Sequence, residues 1–397
     1  MIHDFKKRLE KARGALEESN LSEKNKDAIR AFILQCSADG LKEARLDKYL
    51  RTLRLIAERY CGTLNFEDMK KGEVVEIVSK IELEDKIGDW TKHDYKLALK
   101  KLLVFLGKDN EVSWIRTTYR GGNKLPDELL TEDEVMKLIE VAEHPRDKAF
   151  LAGLYESGCR ISEIGNLKIS DISFDNYGAV AIVSGKTGMR RVRLIFSAVY
   201  LASWLDIHPG RDNPKAPLWI GVGTVGKGEA MNYSAFRALL QRVAEKAAIK
   251  KKVNPHNFRH SRSTHLSKHL TEAQMDQYLG WVQGSKMPSI YVHLSGRDVD
   301  AALLKLQGEE IEEAKERTKL VKKNCVRCGT ENAPTSKFCH RCGMALGLST
   351  VIEQEEKNMQ VMMQFFELIK EDTRVIDYMK TFLERTDRKV GEKVTGT

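Results

Sequence analysis

Apolar residues recur every three to four positions through the first 110 residues, which is the period of an amphipathic helix. One such segment opens after Ser22, a residue type that caps helices, and another is stopped by Gly62. Thr91 is expected to cap a later helix, whereas the charged residues 1–20 look helical without a strong cap. The pattern therefore predicts a small helical domain over residues 1–110.

A polar stretch over residues 111–124 interrupts this pattern and predicts a linker. It contains two consecutive glycines, which favour a flexible backbone. Its basic side chains could follow phosphates, although a solvated linker is the more frequent interpretation; they are Arg116, Arg120 and Lys124.

Residues 125–300 combine helical and strand signals. Thr131 opens a capping box, and a buried helix further on ends at Gly158. Two short strand-like segments, 179–183 and 191–195, flank a glycine-containing turn and predict an antiparallel pair. Helical spacing then returns. The expected fold class is mainly α with a small antiparallel β-sheet.

The net charge of +9 is concentrated in one part of the 397-residue chain. The segment from Ser184 to Lys268 holds 16 Lys and Arg residues against 4 Asp and Glu residues. A basic surface of this kind usually meets nucleic acid. The chain starts without the apolar run of a signal peptide, and no segment reaches the roughly 18 apolar residues of a membrane span. We therefore expect a cytoplasmic, nucleoid-associated protein with no membrane partner.

The stretch from Asn254 to Leu294 carries the residues best suited to phosphate chemistry. His256 and Arg259 lie three positions apart, which places both side chains on one face of a helix. A guanidinium and an acid–base group aimed at one point suit a phosphate. Tyr291, near the end of the stretch, supplies an oxygen nucleophile. Each residue alone is more often surface or core filler, so the order and spacing of the set carry the inference.

Five motifs in this order resemble those of the tyrosine recombinase, or phage-type integrase, family. They are Gly158-Cys159-Arg160-Ile161-Ser162-Glu163-Ile164, Gly185-Lys186-Thr187, the His256 and Arg259 pair, Leu279-Gly280-Trp281, and Tyr291. The resemblance covers roughly residues 21–294. It implies a helical core-binding domain and a catalytic domain, which together act as a site-specific DNA recombinase. The reaction implied is cleavage and rejoining of DNA through a 3′-phosphotyrosine intermediate.

The resemblance also implies which residues hold and attack the phosphate. Arg160 and Arg259 would bind the non-bridging oxygens, because guanidiniums do so bidentately and a lysine cannot. Glu163 would support them. Tyr291 would attack the phosphorus and become bonded to the DNA 3′ end.

Three further residues would handle protons and position the nucleophile. By the same resemblance, His256 would take the tyrosine proton and Lys186 would protonate the leaving 5′ oxygen. Trp281 would donate its indole N–H to the phosphate and buttress Tyr291. The ten-residue separation of Trp281 from Tyr291 is about one residue longer than the commonest spacing in the family. No cofactor is implied for catalysis.

The implied partners are double-stranded DNA and further copies of the chain. Four protomers, each free to be monomeric in solution, would form a homotetramer on two DNA sites. Two alternatives remain open at this point: a type IB topoisomerase-like enzyme with the same active-site chemistry, and a DNA-binding regulator that kept the fold but lost activity. The helical first domain and the complete set of motif residues favour a recombinase.

Beyond residue 300 the chain departs from the family pattern. Residues 301–323 are expected to form a charged helix. Residues 350–386 keep near-heptad apolar spacing, which predicts a helix that packs on its own chain or on another subunit. Between them, over residues 324–347, two Cys-x-x-Cys-Gly motifs predict a structural zinc ribbon whose ligands are Cys325, Cys328, Cys339 and Cys342.

A pair of disulfides is the alternative for these four cysteines, and a cytoplasmic setting disfavours it. The other three cysteines are expected to be free thiols. The ribbon and the segment from Gly280 to Ser285 look archaeal, as in an integrase of a mobile element.

Overall fold

The computed structural model describes residues 2, 4–117, 129–224, 226–285, 287–291, 303, 304, 306, 307, 318–369, 374, 377, 378 and 381. The chain divides into two compact units: Met1–Asp127 with Gly221–Phe236, and Glu128–Ile220 with Arg237–Thr397. Helices dominate and the strands are short and antiparallel, so the predicted fold class is confirmed. Among the helices of the described part of the chain, none has the length and apolar character to cross a lipid bilayer.

The first unit is built from six helices and a π-helical turn, Ala57–Cys61, that extends the third of them. The helices are α1 (Phe5–Glu17), α2 (Glu23–Ala38), α3 (Glu43–Ile56), α4 (Lys71–Leu83), α5 (Asp89–Phe105) and α6 (Asp109–Val112). As predicted, Ser22 caps α2, because its hydroxyl accepts a hydrogen bond from the Asn25 amide at 3.3 Å.

Two caps of this unit differ from the prediction. The Asp4 carboxylate accepts a hydrogen bond from the Lys7 amide at 2.9 Å, so α1 is capped. Helix α5 has Gly88 at its N-cap, and the prediction of Thr91 as the cap was wrong. Thr91 already belongs to the first turn, where its amide donates to the Gly88 carbonyl at 2.8 Å.

One hydrophobic core joins all six helices of the first unit. It extends past residue 110, the predicted end of the domain, because Val112 and Ile115 are both buried within it. The second half of the predicted linker, residues 118–124 with the glycine pair, Arg120 and Lys124, lies outside the described residues.

The second unit surrounds a central helix with further helices and a three-stranded sheet. In chain order the elements are α7 (Glu132–Val141), α8 (Pro145–Ser157), α9 (Ile161–Ile164), β1 (Ile172–Asp175), β2 (Gly178–Gly185), β3 (Gly188–Leu194), α10 (Ser197–Asp206), α11 (Tyr233–Lys246), α12 (Pro255–Ser267) and α13 (Glu272–Leu279). Helix α11 spans the boundary between the two units. The capping box at Thr131 is present as predicted.

The sheet has the order β1-β2-β3 and is antiparallel throughout. Its predicted hairpin is confirmed: β2 and β3 pair from Ala179 with Leu194 to Gly185 with Gly188. Strand β1 was not predicted. It pairs with β2, with Ile172 opposite Ala181, and its own residues are largely exposed, so it lacks the buried apolar residues that signal a strand.

Helix α8 is the centre of the second unit, with nearly every side chain buried. Near its end, the buried Glu156 carboxylate accepts hydrogen bonds from the amides of Ile195 and Ser197 at 2.8 and 2.9 Å. Ser197 is the first residue of α10 and Ile195 directly precedes its N-cap, so one side chain satisfies a donor that the helix N-terminus leaves unpaired and one just before it. Gly158 then ends α8 in the left-handed conformation, at φ 55°, as predicted.

The tail adds a small two-stranded element and one long helix. Strand β4 (Lys323–Asn324) pairs antiparallel with β5 (Glu331–Asn332), and α14 covers Leu348–Ile369. Most of the predicted helix 301–323 lies outside the described residues; its end does not fit the prediction, because residues 318–322 are not helical and Lys323 starts β4. The Tyr200 hydroxyl, on α10, lies 2.7 Å from the Thr335 hydroxyl and ties this element to the second unit.

Candidate active site

A buried carboxylate organises the site. Glu163, on α9, accepts three hydrogen bonds of 2.8 Å: from the Arg160 amide, from Arg160 Nη1 and from Arg190 Nη2. Its side chain is 0% exposed. Burial opposes ionisation of this group, but the hydrogen bonds and charges of Arg190 and Arg160 hold the pKa of Glu163 below its ordinary value. The carboxylate therefore stays charged between two guanidiniums.

Arg190 was missed by the sequence analysis, although it completes this arrangement. Besides binding Glu163, it donates from Nε to the Tyr278 carbonyl at 2.9 Å. Strand parity offered a signal. Arg190 shares a face of β3 with the buried Val192 and Leu194, and a buried arginine requires a carboxylate partner. The sequence could not show that the partner would be Glu163.

The hairpin tip lies directly against Glu163. A Cβ atom added at Gly185 would collide with the Glu163 carboxylate, so only glycine allows this approach. Lys186 follows on the tip and its side chain is exposed. The Thr187 hydroxyl donates to the Gly280 carbonyl at 3.1 Å. The tip therefore places Lys186 next to a residue that contacts the buried carboxylate.

Arg259 reaches the same place from α12. Its guanidinium donates from Nη1 to the Gly158 carbonyl at 2.7 Å and from Nη2 to the Leu279 carbonyl at 2.8 Å. Arg160 Nη1 lies 3.4 Å from the next carbonyl, that of Gly280. The two predicted phosphate-binding arginines are thus brought together from distant parts of the chain.

The electrostatics of this pair favour an anion. Burial and the positive charge of Arg160 lower the pKa of Arg259 to about 10. A lowered arginine pKa means that the cation is held at a free-energy cost, which a negative ligand between the two guanidiniums would remove. The Arg160 side chain is 33% exposed, so it is open to such a ligand.

Tyr291 lies beside this pair and is buried, with 3% of its surface exposed. Its ring stacks on Trp281 with 5.3 Å between centroids and 9° between planes. The Trp281 ring in turn lies 5.6 Å from Arg259 Cζ. Burial raises the pKa of the Tyr291 hydroxyl, and the charge of Arg259 offsets only part of that effect. The hydroxyl is therefore protonated at neutral pH and needs a proton acceptor.

The group in contact with that hydroxyl is His260 and not His256, the residue that the family resemblance implies. His260 Nδ1 lies 2.6 Å from Tyr291 Oη. His256 is one helical turn earlier and more exposed than His260, although its ring is partly screened from water, and the two ring centroids lie 6.3 Å apart. Burial first and neighbouring positive charges second lower the pKa of both histidines. Both rings are therefore neutral at pH 7, and His260 is able to accept a proton.

Tyr278, also in this region, has a different environment. Its hydroxyl donates to the carbonyls of Glu156 and Arg193, at 3.0 and 3.1 Å. Burial raises its pKa far above the ordinary value for a tyrosine. The hydroxyl therefore links α13 to α8 and β3. Its hydrogen bonds go to these two carbonyls and not to Arg160 or Arg259.

Four cysteines form a second cluster, in the tail. The sulfur atoms of Cys325, Cys328, Cys339 and Cys342 all lie within 4.8 Å of one another. Gly329 and Gly343, which follow the two Cys-x-x-Cys pairs, adopt left-handed φ values of 68° and 70°. These turns aim the sulfurs of each pair at a common centre. The remaining cysteines are free and buried, as expected.

Comparison with known proteins connects the first site to one family. Residues 128–297 match the sequence model of the Phage integrase family. Tyrosine recombinase XerD of Ralstonia nicotianae is 28% identical over 294 residues, which cover 68% of this chain and 90% of that protein. Tyrosine recombinase XerA of Pyrococcus furiosus is 30% identical over 211 residues, which cover 52% of this chain and 70% of that protein.

Three solved structures share the fold. XerH site-specific recombinase bound to palindromic difH substrate aligns with a TM-score of 0.54 and 20% identity, covering 76% of this chain and 95% of that chain. Tn1549 transposon integrase in complex with transposon right end DNA gives 0.57 and 17%, covering 70% and 99%. A lambda integrase tetramer bound to a Holliday junction gives 0.51 and 14%, covering 66% and 78%.

The arrangement around Glu163 predicts the behaviour of an Arg190→Met variant. It should lower the free energy of unfolding by about 3 kcal/mol at pH 7, because a buried carboxylate loses a charged partner. Arg191→Met, at the exposed next position of β3, is the matched control and should change little. Urea unfolding of the full chain measures both. Equal effects of the two variants would contradict the assigned role of Arg190.

The same pair gives a pH dependence with a defined sign. The folded-state pKa of Glu163 is depressed, so its stabilisation is present above the unfolded value, near 4.5, and is lost as the pH falls through the folded value. The stability difference between wild type and Arg190→Met should therefore be full at pH 6 to 7 and shrink below pH 4.5. A difference that stays constant in acid would mean that Arg190 acts only by packing.

Proposed function

This chain belongs to the tyrosine recombinase family, and we propose that the residues gathered around Arg259 carry out its reaction, site-specific DNA cleavage and rejoining. One observation supports the proposal above the others: a buried tyrosine hydroxyl held by a neutral histidine beside two converging guanidiniums. The named relatives are recombinases, which favours this activity over a topoisomerase. A regulator that lost activity would be expected to lack a motif residue, and all are present.

We assign Arg160 and Arg259 to the scissile phosphate. The phosphate would sit between the two guanidiniums and relieve their repulsion, and the added negative charge of the pentavalent transition state would be bound more tightly still. Glu163 and Arg190 act through Arg160, which they hold in place, and do not touch the DNA. Removing either phosphate-binding arginine is expected to slow cleavage by about a hundredfold or more.

Tyr291 is assigned as the nucleophile. Its oxygen bonds to phosphorus while the bond from phosphorus to the DNA 5′ oxygen breaks, which leaves a phosphotyrosine at the 3′ end. His260 takes the tyrosine proton, because its Nδ1 atom lies 2.6 Å from that hydroxyl and accepts from it when the ring proton is on Nε2. Lys186 on the hairpin tip gives a proton to the leaving 5′ oxygen. Rejoining reverses these steps.

Two further residues complete the site. Trp281 holds the Tyr291 ring by stacking, and its indole N–H would donate to the phosphate. We assign His256, exposed on the same helical face as His260, to the phosphate oxygens and keep it as the second acid–base candidate. The chemistry needs no cofactor, because the energy of the broken phosphodiester is kept in the phosphotyrosine.

The rest of the chain is assigned by its charge and its place in the family. We assign residues 1–110, with the core extended to Ile115, as a core-binding domain that would bind DNA, and residues 125–300 as the catalytic domain. The basic surplus between Ser184 and Lys268 supports a duplex DNA partner. The lambda integrase structure is of a tetramer on a Holliday junction, which supports a homotetramer here. A DNA substrate would be met in the cytoplasm, at the nucleoid, and we propose that location for this protein.

We assign a structural zinc ion to the four-cysteine cluster. Four sulfur donors around one centre are the set that zinc takes in closed tetrahedral sites, and such a site has no open position for chemistry. The metal would hold the ribbon, residues 324–347, in its folded form. Catalysis would not involve it.

The nucleophile assignment is tested with Tyr291→Phe. This variant should bind DNA normally and form no covalent adduct, because the attacking oxygen is gone. Tyr278→Phe is the matched control and should still form the adduct. The measurement is the recovery of covalent adducts on a suicide DNA substrate, which are then sequenced. An adduct that persists in Tyr291→Phe and maps to another tyrosine would contradict the assignment.

The proton acceptor is tested by pH. Because burial lowers the pKa of His260, cleavage should stay high at pH 6.5 and fall as acid protonates the ring at lower pH. In His260→Gln, cleavage should be slow and its acid-side fall should disappear, because a glutamine oxygen accepts a hydrogen bond but neither takes a proton nor titrates in this range. His256→Gln is the matched control and should keep the fall. If only His256→Gln abolishes it, His256 is the acceptor.

The metal assignment is tested with Cys325→Ser combined with Cys342→Ser. The full-length variant should lose its zinc, measured by metal analysis, because only two thiolates remain. A chelator should likewise unfold the ribbon of the wild type while adduct formation continues. Undiminished stoichiometric zinc in the variant would place the ligands elsewhere. Loss of the adduct after chelation would give the ribbon a part in the reaction.

A further inference from the structure

Helix α14 carries an apolar surface that none of the described residues covers. Five large side chains on its second half are between 47% and 64% exposed: Met359, Met362, Met363, Phe365 and Phe366. Each offers on the order of 100 Å², so the surface is on the order of 500 Å² per copy. That is as large as the largest apolar patch of a typical soluble monomer, roughly 300–600 Å², and patches of this size are often binding surfaces.

The charges of α14 exclude two kinds of occupant. Residues 348–369 contain four glutamates and one lysine, so the helix would repel a DNA backbone. A helix lying on a membrane surface needs lysine and arginine along its polar face, and this helix lacks them. The remaining occupants are proteins.

The width of the apolar surface points to a bundle of several helices. Met359 and Phe366 are seven residues apart, and Met362 lies between them at the spacing of a two-stranded coiled coil. Met363 and Phe365 widen the surface on both sides, where a two-stranded coil carries charged residues. Glu355 interrupts the same face one turn earlier, so contact would begin at Met359.

Contacts with the ribbon, residues 324–347, hold the start of α14 in place. The Val351 amide donates to the Gly347 carbonyl at 3.3 Å, and Lys337 in the ribbon pairs with Glu353 at 2.6 Å. The ribbon itself is tied to the second unit through Tyr200. Every copy of the chain therefore carries the same apolar surface on the same support.

We propose that α14 associates with the α14 helices of other copies of this chain, forming a helical bundle that strengthens the recombinase tetramer. The proposal rests on the assembly given under the proposed function, which brings four identical helices together. An area on the order of 500 Å² is below the roughly 800 Å² per partner of a stable two-protein interface. Association in solution should therefore be weak, and binding of several protomers to DNA should promote it.

Sedimentation velocity of the full-length protein without DNA tests the surface directly. Wild type should show concentration-dependent association. Met362→Glu combined with Phe366→Glu should weaken it at least tenfold, whereas Gln360→Glu combined with Gln364→Glu, the same charge on the opposite face, should leave it unchanged. Zinc content and binding to a single DNA site confirm that each variant is folded.

A second measurement separates this proposal from the catalytic one. Two-site DNA complexes are counted on gels in a Tyr291→Phe background, so their yield does not depend on cleavage. Fewer paired complexes are expected for the Met362 and Phe366 variant than for its control. The proposal would be overturned if the two variants associated equally and paired DNA sites equally. It would also be overturned if the wild type stayed monomeric at all concentrations and paired DNA sites no better than the Met362 and Phe366 variant. Neither result would bear on the assignment of Tyr291.

Discussion

The active site depends on one buried interaction, the Glu163 carboxylate shared by Arg160 and Arg190. A carboxylate removed from water is stable only when charged partners and hydrogen bonds replace its hydration. Here those partners come from the start of α9 and from β3, and Arg190 also binds a carbonyl of α13. A single charge thus joins three elements that lie far apart in the sequence.

That interaction fixes Arg160 in a site that favours a negatively charged ligand. Arg160 already has one carboxylate oxygen as its partner, while Arg259 donates to two backbone carbonyls, lies over the Trp281 ring and has a lowered pKa. The guanidiniums are therefore fixed before any DNA is bound, and they need not be reorganised during the reaction. Electrostatic stabilisation by fixed groups of this kind is usually the largest contribution to catalysis.

Local signals in the sequence predicted the parts of this structure that depend on local chemistry. The capping box at Thr131, the left-handed Gly158 and the β2–β3 hairpin follow from neighbouring residues. The contact of His260 with Tyr291 does not follow from neighbouring residues. It depends on how the chain folds between these two positions, because that fold decides which turn of α12 faces the tyrosine. Arg190 failed to stand out for a similar reason: its parity on β3 indicated burial, but its carboxylate partner lies 27 residues earlier.

The burial of Tyr291 also affects when its hydroxyl can reach a DNA phosphate. With 3% of its surface exposed and its ring stacked on Trp281, the tyrosine is shielded from a phosphate in solution. The hydroxyl must leave this pocket, at least in part, before it can attack. As the proposed nucleophile, Tyr291 would therefore be shielded in a protomer that has not bound its DNA site, and strand cleavage would require DNA contacts that uncover the hydroxyl.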